Sequence, residues 1–192
     1  MAGCDLTGNT DPATTRVAPA DARLRGKKRM NNLSNTVAGG FINSYRDFAG
    51  RVHALAAQLS EEQFWIRPYD YGNSFGHLTL HLIGNLNYYI GTQIAGTGYV
   101  RDREREFTET NFPSKEDVLR QLDEAVELVI ATLREQTADT WANEYEAVGV
   151  SDFIKDRFGI FLRCAAHFHH HIGQMIYLVK ELSTHAGNRQ PE

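Results

Sequence analysis

The sequence predicts an all-α protein, an antiparallel four-helix bundle with one long crossover loop. Apolar residues recur at heptad-like spacing in four separate stretches, as they do on helices that turn one face to a common core. No segment shows the two-residue alternation of a half-buried strand. A highly charged connection between the second and third stretches is too long for a simple turn and fits a crossover. At 192 residues the chain suits one domain with a proper hydrophobic core.

Residues 1–30 mix Gly, Thr, Asp, Pro and Ala with a basic cluster from Arg23 to Arg29 and have no helical periodicity. They are expected to form a disordered tail, with Met30 as an alternative start of translation. The bundle is expected over residues 31–183. Its first helix runs from Asn31 to Ser60, with Leu33, Val37, Phe41, Tyr45, Phe48, Val52, Leu55 and Leu59 on one stripe. Ser60 and Gln63 read as a capping box that opens a short turn carrying Phe64 and Trp65. Pro68 and the stretch from Asp70 to Ser74 then break the chain. A second helix follows from about Ser74 to Ala95, and Gly96-Thr97-Gly98 ends it. The next segment, YVRDREREFTETNFP, is a solvated loop on its simplest reading and a lid or crossover on the other. Ser114 caps a third helix, with Asp117 in the capping-box position and Val118, Leu122, Val126, Val129 and Leu133 on its apolar face. Residues 138–150 hold Trp141 and Tyr145 without periodicity. Ser151 is expected to cap the fourth helix, and residues 184–192 to fray as a C-terminal tail.

Composition narrows the function classes. The chain is 42% hydrophobic and 23% charged with a net charge of −4, and no basic face points to nucleic acid. No apolar run reaches the roughly 18 residues of a membrane span. Cys4 and Cys164 lie far apart in unlike contexts, which argues against a structural disulfide and fits a reducing cytoplasm.

The histidines carry the chemistry. On the fourth helix, steps of four and three residues from Ile160 meet Cys164, His167, His171, Gln174 and Leu178. Two imidazoles and a carboxamide therefore occupy a seam where Leu and Ile would ordinarily pack. Burying such groups unpaired costs a few kcal/mol each, so something must satisfy them. His169 points off the seam, and His170 lies at its edge. On the second helix His81, Asn85 and Tyr88 share a stripe, with His77 one turn earlier as a fourth ligand or a rim residue. His81, His167 and His171 can supply three corners of a metal site, leaving one position for water as in catalytic zinc centres. No Glu-x-x-His occurs on either helix, which disfavours a di-iron carboxylate site. A lone His on a bundle seam is usually a core residue bonded to a carbonyl or hydroxyl. Three of them, with Gln174 and Asn85 on the same stripes, favour an ion.

The pairing of HLTLHLIGNL with the later HFHHHIGQMIYLVKEL, and the RDREREF segment between them, resembles the DinB-like superfamily over residues 31–183. The H-x3-H-x-G-Q pattern from His167 to Gln174 is its most specific part. The resemblance implies a four-helix bundle, often a homodimer, with a three-His site for a divalent ion such as zinc, nickel, manganese or iron. It marks His81, His167 and His171 as the ligands, because Leu82, Gly84 and Asn85 follow His81, and it places His77 at the rim. The superfamily includes metal-dependent transferases that act with low-molecular-weight thiols such as bacillithiol and mycothiol. The expected function is thus a metal-dependent S-transferase or hydrolase whose partners are a small thiol and an electrophile. Asn85, Gln174 and Tyr88 are the candidate catalytic polar groups. Arg101, Arg103 and Arg105 are the candidates for binding an acidic thiol cofactor. The rival expectation is a non-enzymatic metal-binding bundle, serving stress or dimerisation, whose ion only stabilises the fold.

Overall fold

The structure is a computed structural model that describes residues 20–151 and 153–187. Its described helices are α1 (Ala20–Ala56), α2 (Glu61–Trp65), α3 (Phe75–Leu86), α4 (Arg105–Thr108), α5 (Lys115–Arg134) and α6 (Arg157–Gly187). A π-helical segment, Asn87–Thr92, continues α3, and a 3-10 turn spans Thr140–Ala142. The described residues contain no strand, only an isolated bridge between Glu144 and Asp156. The fold is all-α, as expected.

Helix ends follow local chemistry, with three departures from the sequence reading. The capping box at Ser60 forms: Gln63 N donates to Ser60 Oγ at 3.1 Å, and Ser60 N donates to Gln63 Oε1 at 2.9 Å. Ser114 caps α5, but Asp117 does not reach back to the cap amide; its carboxylate accepts the Ser114 hydroxyl at 2.7 Å instead. Its side chain is one methylene shorter than the Glu of a full box. At the N-terminus α1 starts at Ala20, ahead of Asn31. The segment from Ala20 to Met30 is rich in Ala, Leu, Lys and Arg, which favour helix without any apolar stripe. Residues 1–19 of the expected tail, and 188–192 of the C-terminal one, lie outside the described residues. The start of α6 also moves, from Ser151 to Asp156, whose Oδ1 accepts from Gly159 N at 2.7 Å. Ser151 instead closes a turn, its carbonyl accepting from Ile154 N at 2.9 Å.

The long helices pack in a ring, with α1 against α5 and α6, and α3 against the same two. Their directions follow from contacts at their ends. Ser34, early in α1, bonds the Gln136 carbonyl just past α5, while Lys115 at the start of α5 bonds the carbonyls of Ala56 and Leu59. These two helices are antiparallel. Phe41 meets Phe158 edge-on and Phe48 packs against Phe168, so α1 and α6 run parallel. His81 meets His167 while Tyr89 meets Arg163, so α3 and α6 are antiparallel. Finally, His77 lies beside Phe112 just ahead of α5, and Gly91 approaches Leu128, which makes α3 and α5 parallel. Parallel neighbours cannot be joined by a tight turn. The expected crossover, 96–113, lies within the connection from Gln93 to Ser114, which returns the chain along the length of α3.

Aromatic residues fill the ring's interior: Tyr45, Phe64, Phe75, Phe161 and Phe168 are fully buried. Trp141 closes the end of the bundle at α1, donating from Nε1 to Ser34 Oγ at 2.8 Å; the Ser34 hydroxyl donates onward to the Gln136 carbonyl at 3.2 Å. Cys164 is buried, and burial pushes its thiol up to about 12, which leaves it a packing residue rather than a nucleophile. No described helix is long and apolar enough to cross a membrane.

Ser34→Ala removes the acceptor for a buried indole N–H, which should cost about 1–3 kcal/mol. Urea unfolding would measure it; an unchanged midpoint would mean that Trp141 is not held in this way.

Candidate metal centre

The site starts at the N-terminus of α3. Ser74 Oγ accepts from His77 N at 3.2 Å, which fixes the register in which His81 falls on the face toward α6. His77 itself is spent on structure. Its Nδ1 faces Ser74 Oγ at 2.6 Å and its Nε2 donates to the Glu109 carbonyl at 3.1 Å. Both ring nitrogens are engaged, so His77 anchors the crossover and is not a ligand.

His81, His167 and His171 converge. His167 Nε2 lies 2.9 Å from His81 Nε2 and 3.2 Å from His171 Nε2, and one ligand atom from each of the three falls within 4.8 Å of the others. A tetrahedral zinc site with three imidazoles has nitrogen separations of about 3.3 Å. The opposite ring nitrogens decide what these atoms present. His81 Nδ1 sits 2.8 Å from Glu106 Oε2, a group that only accepts, so Nδ1 carries the proton and Nε2 the lone pair. His171 Nδ1 likewise donates to Gln174 Oε1 at 2.7 Å. A neutral His167 can offer its Nε2 proton to only one of these two lone pairs. A single cation satisfies all three nitrogens, and the donor set fits a divalent ion.

Glu106 is the functional residue that sequence reasoning missed, since its segment reads as a solvated loop. Its side chain is only 6% exposed. Arg101 grips it with both arms, Nε to Oε1 at 2.6 Å and Nη2 to Oε2 at 2.8 Å. Burial alone would raise the Glu106 carboxyl, but the bonds from His81 and Arg101 outweigh it and hold the carboxyl below its usual range. A carboxylate behind a ligating imidazole fixes its tautomer and strengthens it as a ligand. Gly84 makes room for this: a Cβ there would lie 1.9 Å from Glu106 Oε1. The available signal was a glycine in mid-helix, three residues after His81, followed by an acid-bearing loop.

The other candidates divide. Asn85, Tyr88, Arg101 and Arg103 line a cavity of about 810 Å3 that opens beside His81 and His167. Arg101 serves Glu106 as well, and Arg103 lies over the Phe107 ring. Arg105 is exposed and bonded to Glu109 at 2.8 Å, away from the cavity. Gln174 is exposed and orients His171 without lining the cavity. His169 is exposed, as its position off the seam requires. The π-helical segment sets the far wall: the Tyr89 carbonyl accepts from Tyr145 Oη at 2.8 Å, and Tyr89 Oη donates to the Gly149 carbonyl at 3.2 Å. Such segments are frequent at functional sites.

Burial, with help from neighbouring imidazoles, lowers His167 to about 3; burial also lowers His171 to about 4, against the raising effect of its bond to Gln174. Both are neutral at neutral pH, the form that binds metal.

Residues 34–188 match the family described as "Protein of unknown function (DUF1572)". The chain belongs to this family. The DUF1572 match begins at Ser34, the first buried position of α1 among the described side chains, and takes in the three histidines, Gly84 and Glu106. No curated protein matches the chain. Among solved structures it is similar to a DinB-like protein from Bacillus cereus, with a TM-score of 0.59 and 14% identity over 76% of this chain and 92% of that one. A DinB-like protein from Bacillus subtilis is similar too, with a TM-score of 0.56 and 15% identity over 75% and 92%. The DUF1572 chain thus has the DinB-like fold that its histidine motif implies.

Two outcomes follow from the geometry. Glu106→Ala should weaken metal affinity about 10–100-fold with the three ligands intact, as measured by competition with a chromogenic chelator. Unchanged affinity would show the Glu106–His81 bond to be idle. The second concerns acid. A His whose folded pKa is depressed binds protons more readily when unfolded, so stability is present above the unfolded value and lost below it. The metal-free protein should lose stability as pH falls from about 6.5 toward 5, and His167→Gln should flatten that slope. Urea midpoints across this range test it; an equally steep slope in the variant would contradict it.

Proposed function

We propose that this protein is a metal-dependent enzyme that holds one divalent ion on His81, His167 and His171 and acts on a small thiol and an electrophile, or on a hydrolysable substrate. The observation that carries this reading is the convergence of three Nε2 atoms at the edge of a cavity large enough for a small molecule. A bound divalent ion supplies Lewis acidity that favours thiolate over thiol, or hydroxide over water. The chain's own residues do the rest. Glu106, held by Arg101, keeps the His81 proton on Nδ1, and Gln174 does the same for His171. Asn85 and Tyr88 stand on the cavity wall where a substrate would be oriented; Arg101, paired with Glu106, and Arg103 stand on the same wall, and Arg103 and Arg163 lend it positive charge.

The three ligands, belonging to two helices, would also tie α3 to α6, which is what a purely structural ion would do. Cobalt substitution separates the readings. An added thiol should enter the ion's coordination and produce a thiolate-to-cobalt absorption band. His81→Ala, His167→Ala and His171→Ala should each reduce bound metal well below one per chain, and His169→Ala should not. A cobalt spectrum that millimolar thiols leave unmoved would favour the structural ion. Equal metal loss from His169→Ala and His171→Ala would overturn the ligand set.

A further inference from the structure

Three buried side-chain atoms lack a hydrogen-bond partner among the described residues, and two of them belong to residues that line the cavity beside the histidines. One is Nη1 of Arg163, one turn before His167 on α6. The other is Oδ1 of Asn85, a residue only 2% exposed. The third, Gln136 Oε1, belongs to a residue just past α5 that does not line this cavity.

Among the described residues Arg163 is a cation without a counter-ion. Its guanidinium lies 4.6 Å from the centre of the Tyr89 ring, and no acidic side chain stands within ion-pair distance of it among the described residues. Among the described residues the cavity wall contains no Asp or Glu. Arg101, on the same wall, differs because Glu106 already neutralises it. Leaving a buried donor of a charged group unpaired is costly, and a guanidinium's natural complement is a carboxylate or a phosphate. Asn85 decides between these. Its orphan is an acceptor, which a second anionic oxygen would repel and an N–H or O–H would satisfy.

We infer that Arg163 and Asn85 form a recognition subsite for a substrate bearing a carboxylate with a neighbouring N–H or O–H donor. Arg103, the wall's other arginine without an ion pair among the described residues, is exposed over the Phe107 ring, so the unpaired positive charge with a buried donor is that of Arg163, which suits a monoanion better than a doubly charged phosphate. The inference rests on the proposed reading that the histidine site acts on a small molecule in this cavity, and it assigns Arg163 a role that the arginines of the crossover do not fill. Tyr89 holds the guanidinium plane in place, and the loop bond from Tyr89 to Gly149 holds Tyr89.

Two probes that share one thiol and one amide N–H, N-acetylcysteine and its carboxamide, differ by the carboxylate alone. Their affinities for the cobalt-loaded and metal-free full-length protein would be measured by calorimetry, with the thiolate band followed in parallel. The acid should bind about tenfold more tightly than the amide in both forms. Arg163→Gln should bring the ratio close to one, and Arg163→Lys, which keeps the charge if the Gln variant fails to fold, should retain only part of it. Inorganic phosphate should not displace the acid at equal concentration. Equal affinities in the wild type, a preference that survives Arg163→Gln, or displacement by phosphate would overturn the subsite. A carboxylate preference without any thiolate band would support the subsite and remove the thiol reading of the metal. A band of equal strength and affinity with both thiols would do the reverse.

Discussion

Three imidazole nitrogens facing one another across the seam between α3 and α6 are the constraint on which the rest of the site depends. Two of them are fixed as lone pairs by acceptors behind the rings, Glu106 for His81 and Gln174 for His171. Lone pairs brought this close in a buried place repel unless a proton or a cation stands between them, and His167 has only one proton to give. Protonating the rings is opposed by burial, which holds His167 and His171 far below the usual imidazole value. A divalent ion resolves the conflict with the side chains as they stand.

The topology and the site are coupled through the crossover. Because α3 and α5 run parallel, the chain must travel back along α3 between them, and that return brings Glu106 against Gly84 and behind His81. His77 pins the same segment at the Glu109 carbonyl, and Arg67 pins it at the Phe107 carbonyl. The segment with the most charge in the chain is therefore a wall of the cavity as well as a connection. Its Arg101 carries two duties, holding Glu106 and lining the space where a substrate would sit.

Much of this was legible in the residues, for physical reasons. Heptad stripes report burial directly, so the helices and the convergence of His81, His167 and His171 follow from spacing. Ser60, Ser74 and Ser114 announce their caps because a side-chain oxygen next to free amides is a local matter. What escaped depends on contacts distant in sequence. Glu106 looks solvated until Arg101, His81 and the missing Cβ of Gly84 are brought around it. Arg163 faces the seam's edge, and only the π-helical segment that presents Tyr89 makes it a cavity residue. Ser151 resembled a cap, yet its carbonyl closes a turn at Ile154, and Asp156, bridged to Glu144, takes the role. The parallel pairing of α1 with α6 and of α3 with α5 leaves no trace in amphipathicity, which is the same for either direction.

The most direct test is X-ray absorption on the zinc-loaded protein, with and without an added thiol. Three imidazole nitrogens and an exchangeable oxygen at about 2.0–2.1 Å are expected in the resting protein, with one sulfur at about 2.3 Å replacing the oxygen when thiol is added. Four imidazole or carboxylate ligands from the protein, unmoved by thiol, would contradict an open three-histidine centre.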